Sequence, residues 1–155
     1  MEFNSMFKNN AEESTGLLFI RTYNKWHGKI KSALSDLGIT HPQFIVLCTL
    51  NYLSQFEKHI TQAKISSESE IDVMTVSQIL RTLERNGLVI RKQSPLDSRA
   101  NSIEMVSQGL EVISKAVPIV ESIDLEFFGT LGSELAQFKD SLRKIANVTS
   151  VRTKD

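Results

Sequence analysis

The chain has 155 residues, 41% of them hydrophobic and 23% charged, a composition that suits one globular domain, or two small ones sharing a core, able to bury that core without staples. A single cysteine, Cys48, excludes an intramolecular disulfide and suits a reducing cytoplasm, and no apolar run approaches the roughly 18 residues that span a bilayer. Eighteen basic residues balance 18 acidic ones, so the total charge gives no footprint for a polyanionic partner.

Residues 1–13 and 149–155 are expected to be flexible ends, without the apolar stretch of a secretory signal. Met1–Ser5, ahead of a second methionine at Met6, read equally as a vector-derived leader or as native sequence. From Ser14 to Leu37 apolar residues recur at helical spacing (Leu17, Ile20, Trp26, Ile30, Leu34, Leu37), and Gly38 follows where a left-handed cap is cheap for glycine. Thr40-His41-Pro42-Gln43 has the form of a capping box with proline in the first turn, opening a helix whose buried side holds Phe44, Val46, Leu47, Leu50 and Leu53. Cys48 lies among these and reads as a small core residue.

Thr61 is placed to cap a short helix from Gln62 to about Ser69, with Ile71-Asp72 as a turn. A second helix runs from about Val73 to Asn86 and ends at Gly87. Its apolar residues Val76, Ile79, Leu80 and Leu83 fall at i, i+3, i+4 and i+7, one buried stripe. The other side carries Thr75, Ser77, Gln78, Arg81, Thr82 and Arg85. The period then changes to two: Leu88–Gln93 and Asn101–Val106 read as strands, joined by the turn-forming residues 94–100. A helix from about Leu110 to Phe128 and another from about Ser133 to Val148 complete the chain.

Charge is unevenly distributed. Between Val73 and Asn101 five basic residues (Arg81, Arg85, Arg91, Lys92, Arg99) face two acidic ones, whereas from Glu111 to Asp140 six acidic residues face two basic ones. Screening acts over roughly 8 Å at physiological salt, so it is the local basic centre that matters to a phosphate backbone.

A short helix, a turn, an amphipathic helix, glycine and a charged hairpin form an order with a use in duplex DNA. The first helix braces the second, whose outward hydroxyls, amide and arginines are the groups that read base edges and phosphates in the major groove. On the helix alone those residues could be a solvated face; the basic hairpin after Gly87 argues for DNA. The chain is mainly α with a small β-hairpin.

From Leu17 to Val148 the chain resembles the MarR family of winged helix-turn-helix transcriptional regulators. Thr75–Val89 is similar to the family's recognition helix with its Leu-Glu-x-x-Gly-Leu-Val ending, Ser94–Arg99 to its wing with an Asp-x-Arg triplet, and Thr40–Phe44 to its second helix start. The resemblance implies a winged helix-turn-helix at residues 40–106, flanked by dimerisation helices at 14–37 and 107–148. It also implies a homodimer on a pseudo-palindromic operator, acting as a repressor, with Asp97 and Arg99 in a DNA-contacting wing and Arg91 on its flank. Three positions depart from the family pattern: Ser69-Glu70 replace a Leu-Gly pair in the turn, Gln78 stands where arginine is common, and Met105-Val106 replace Leu-Thr, which leaves Ser107 to cap the next helix.

The expected DNA-binding residues are therefore Thr75, Ser77, Gln78, Arg81, Thr82, Arg85, Arg91, Asp97 and Arg99. A small-molecule effector, where one exists, would sit between the dimerisation helices and the winged part. Trp26, His27, His41 and Phe44 are its candidate contacts, against the plainer reading that these rings are core. No cofactor is expected, no membrane partner, and no metal: His27, His41 and His59 lack tight ligand spacing. No catalytic motif appears, so the chain is not expected to be an enzyme. The alternative function is a winged helix used as a protein–protein adaptor, which the neutral total charge and Gln78 favour.

Overall fold

The computed structural model describes residues 6–7, 10–93 and 101–146. The expectations of flexible ends lie largely outside these residues; of the leading segment, Ala11–Glu13 form one 3-10 turn.

Helix α1 (Thr15–Ser35) starts where the Ser14 hydroxyl accepts from the Leu17 amide, and the chain reverses at Gly38, whose φ of +72° is open to glycine at little cost. Helix α2 (His41–Leu53) opens with the expected capping box: Thr40 Oγ1 accepts from the Gln43 amide at 3.4 Å, and Gln43 Oε1 accepts from the Thr40 amide at 2.9 Å. Two amides that a helix start leaves without partners are thereby satisfied. Val46, Leu47, Leu50 and Leu53 are all buried, which makes α2 the central helix of the fold.

Helix α3 (Gln62–Ser69) is capped by Thr61. The turn after it is a left-handed one in which Glu70, at φ 55°, takes the conformation that glycine adopts most cheaply. Serines compensate: Ser66 Oγ donates to the Ile71 carbonyl at 2.6 Å, and Ser69 Oγ donates to the Ile65 carbonyl while accepting from the Ile71 amide. The departure at Ser69-Glu70 thus leaves a closed, hydrogen-bonded turn. Asp72, read from sequence only as turn, is the N-cap of helix α4 (Val73–Arg85) and accepts from the amides of Met74 and Thr75. Gly87, at φ +69°, ends α4, and the Leu88 amide closes onto the Leu83 carbonyl.

Strands β1 (Val89–Gln93) and β2 (Asn101–Met105) pair antiparallel, from Val89 opposite Met105 to Gln93 opposite Asn101. The Ile103 amide also donates to the Ile60 carbonyl at 2.7 Å, tying the hairpin to the segment before α3.

Helix α5 (Ser107–Gly129) starts three residues before the expected Leu110. The cap assigned to Ser107 falls on Val106, which offers no side-chain acceptor, so Ser107 is the first helical residue and not the cap. The early start has a packing reason: a Cβ on Gly109 would lie 2.3 Å from the Leu88 carbonyl oxygen and 2.7 Å from Met105 Cγ, so only glycine lets α5 pass so close to the hairpin base. Helix α6 (Leu135–Ile145) follows a 3-10 turn at Gly132–Glu134.

One core joins these elements. Leu34 of α1, Leu47 and Leu50 of α2, Ile65 of α3, Leu80 and Leu83 of α4, and Val89 of β1 are essentially inaccessible. Burial of each such side chain is worth about 1.5–3 kcal/mol, so α4 is held firmly by its inner stripe. The fold class is the expected one, mainly helical with one hairpin.

Candidate nucleic-acid interface

The apolar stripe of α4 decides which of its side chains face out. Val76, Leu80 and Leu83 are buried and Ile79 is half-buried, and Gln78, Arg81 and Arg85 are exposed on the opposite side. These three fall at i, i+3 and i+7, a nearly straight line along the helix. Neither arginine forms an ion pair among the described residues, so both guanidinium groups stand ready for an outside anion.

The other expected contacts are placed differently. Ser77 is turned inward, with 9% of its surface exposed, and its carbonyl accepts from Arg91 Nη2 at 3.5 Å. The Thr75 hydroxyl donates to the Asp72 carboxylate, and the Thr82 hydroxyl donates back to the Gln78 carbonyl at 3.2 Å. Arg91 Nε lies 3.4 Å from Glu84 Oε2, an ion pair by distance but without hydrogen-bond alignment. Arg91 is thus occupied in joining β1 to α4. Lys92 Nζ pairs with Glu104 across the hairpin at 2.5 Å. Asp97 and Arg99 lie outside the described residues.

Sequence reasoning also passed over two exposed residues of the first turn, Val73 and Met74. The signal was there: Met74 precedes Gln78 by four residues and stands on the same line.

The four candidate effector contacts do come together. Trp26 Nε1 donates to Asp124 Oδ1 at 2.7 Å, joining α1 to α5, and the Trp26 ring meets His41 edge-on at 5.3 Å. His27 and His41 place their Nδ1 atoms 3.0 Å apart, which requires one ring to donate and the other to accept. Phe44 flanks His41 with ring centres 6.4 Å apart. Burial, and then the neighbouring His27, hold His41 below the ordinary histidine range, while Asp124 acts the other way. A cavity of about 180 Å³ adjoins this cluster, walled by Phe19, Tyr23, Trp26, Phe128, Phe138 and Leu142. Of the four expected residues only Trp26 is among its walls. Cys48 is a half-buried thiol that burial, seconded by Glu121, pushes up to about 11, so its thiolate is scarce near neutral pH.

Among the described residues no group of three or more His, Cys, Asp or Glu side chains is placed to hold a metal ion, and no helix is long and apolar enough to cross a membrane. The outer helices also expose apolar side chains: Leu18, Phe19 and Ile20 on α1, Leu125 on α5 and Ile145 on α6.

A helix braced by its neighbour, cations along its outer side and an antiparallel hairpin beside it place the protein in the winged helix-turn-helix class. Comparison with known proteins narrows this. The MarR family model matches residues 39–100. Over 128 residues the chain is 35% identical to the uncharacterized HTH-type transcriptional regulator YdcH of Bacillus subtilis (strain 168), covering 83% of this chain and 86% of that one. The S. aureus MepR–DNA complex superposes with a TM-score of 0.78 at 25% identity, covering 88% of this chain and 97% of MepR. Bordetella bronchiseptica BpsR, whose DNA binding is regulated by 6-hydroxynicotinic acid, superposes with a TM-score of 0.75 at 25% identity, covering 86% and 99%. The chain belongs to the MarR family of transcriptional regulators.

Proposed function

We propose that this regulator works as a homodimeric repressor on a pseudo-palindromic operator, each protomer placing α4 in a major groove about one helical turn from the other. The observation that carries the reading is the line of Gln78, Arg81 and Arg85, turned outward by a rigidly buried inner stripe and unpaired within the described chain. Arg99 of the wing is assigned to the flanking backbone, Asp97 to closing the turn of the wing, and Arg91 to bracing the hairpin that carries both. The MepR–DNA complex supports DNA as the partner of a chain of this shape.

The exposed apolar residues of α1, α5 and α6 support a second copy as their cover. Leu18, Phe19 and Ile20 are consecutive exposed apolar residues on α1, and an exposed apolar patch marks an interaction surface. A small-molecule effector is assigned to the aromatic cavity beside Trp26, and BpsR supports small-molecule control in this fold. An effector that favours one spacing of the two α4 helices by a few kcal/mol would release the operator.

Binding to random duplex DNA, measured from low to physiological salt, tests the reading. Affinity should fall steeply, because each phosphate neutralised releases a counterion. A flat response would exclude DNA and leave the protein–protein adaptor in its place.

A further inference from the structure

The head of the recognition helix is chemically unlike the rest of its outer line. Met74 is 67% exposed there, while the positions four, seven and eleven residues later hold Gln78, Arg81 and Arg85. A helix start in a major groove often grips a phosphate with its free amides, but here the Asp72 side chain already occupies those of Met74 and Thr75. It also accepts from the Thr75 hydroxyl, which takes Thr75 out of the reading set. The exposed Asp72 carboxylate would moreover repel a phosphate. What remains at the tip is apolar: Val73, 42% exposed, and the longer, more exposed and flexible thioether side chain of Met74.

Distances along the helix assign the partners. At 1.5 Å per residue Gln78 lies about 6 Å behind Met74, Arg81 about 10 Å and Arg85 about 16 Å. The major groove is roughly 8.5 Å deep, so a helix entering by its start keeps Met74 and Gln78 near the base edges and leaves the two arginines near the phosphate rims. The one apolar group that a base pair presents in that groove is the C5-methyl of thymine.

We infer that Met74 reads sequence by packing against a thymine methyl, at one position in each operator half-site. The inference rests on the DNA-binding reading above and adds the chemistry of the base that is recognised. Gln78, as neighbour on the same line, takes an adjacent base edge.

The test uses duplexes selected by the full-length protein from random DNA, with each thymine replaced in turn by deoxyuridine, which removes the methyl group alone. One symmetry-related pair of positions should lose affinity, by about fourfold per methyl, the worth of one buried methyl-sized group. Met74→Ala should bind more weakly to the thymine duplex and show no further loss with deoxyuridine at that pair. A sensitivity profile that is the same for Met74→Ala and the parent, or a parent indifferent to every replacement, overturns the inference while DNA binding itself stands. Failure to enrich any duplex would overturn both. Met74 is 67% exposed, so Met74→Ala should melt with the parent, and matched melting separates a lost contact from a folding defect.

Discussion

Gly109 shows how much one missing side chain can decide. Inside a helix, alanine normally improves on glycine by roughly 0.5–1 kcal/mol. At Gly109 the added carbon would meet the Leu88 carbonyl at 2.3 Å, and backbone cannot swing aside. Overpacking should win, so Gly109→Ala should lower stability by about 2–3 kcal/mol in urea unfolding. Gly28→Ala, with nothing within 4 Å of the new carbon, should show the ordinary gain instead. His41 makes a second prediction at this scale. Its folded-state pKa is lowered by burial and by His27, with Asp124 opposing. Below the ordinary histidine value the unfolded chain therefore binds more protons than the folded one, and stability rises with pH across that window. Acidification from about pH 7.5 to 5 should lower the thermal midpoint more in the parent than in His41→Asn. Parallel curves would assign the acid sensitivity to other groups.

Among the elements, α4 and β1 carry two kinds of arginine, and the structure separates them. Arg81 is exposed on the outer line, whereas Arg91 of β1, at 22% side-chain exposure, is paired with Glu84 and the Ser77 carbonyl. Arg81→Ala should therefore weaken binding about equally across DNA sequences, reduce the salt slope by about 1 and leave the unfolding midpoint unchanged. Arg91→Ala should do the reverse first, lowering stability by about 1 kcal/mol as the brace between hairpin and helix is lost. Binding and melting measured on both variants distinguish the roles. Sequence alone put both arginines in one class, because a strand residue's partner on a neighbouring helix leaves no local pattern. The same blindness explains Ser77. It sits at the edge of the apolar stripe, is 9% exposed, and has the Arg91 guanidinium of β1 on its carbonyl.

For the whole molecule, the exposed apolar ends set the expectation. Leu125 is 75% exposed and Ile145 is 80% exposed, and both belong to helices that contribute little to the core of their own chain at these positions. Sedimentation should give a dimer at micromolar concentration. Leu125→Asp should shift it towards monomer, because a carboxylate is costly to bury without a partner. That variant should keep the melting behaviour of the winged part, whose core lies around α2 and α4.

The local features were legible in the chain itself. The Thr40–Gln43 capping box, the left-handed glycines at 38 and 87, the inner stripe of α4 and the two-residue period of the hairpin each depend on neighbours a few residues apart. That is the range over which helix and strand periodicity act. What the sequence could not decide depends on contacts between distant segments: the early start of α5 under Leu88, the pairing of His27 with His41, the withdrawal of Ser77 and Arg91 from the outer surface, and the Ser66 and Ser69 hydroxyls that close a turn lacking glycine. Local propensity determined which helices form, and packing among them decided which of their polar groups are left free to meet DNA.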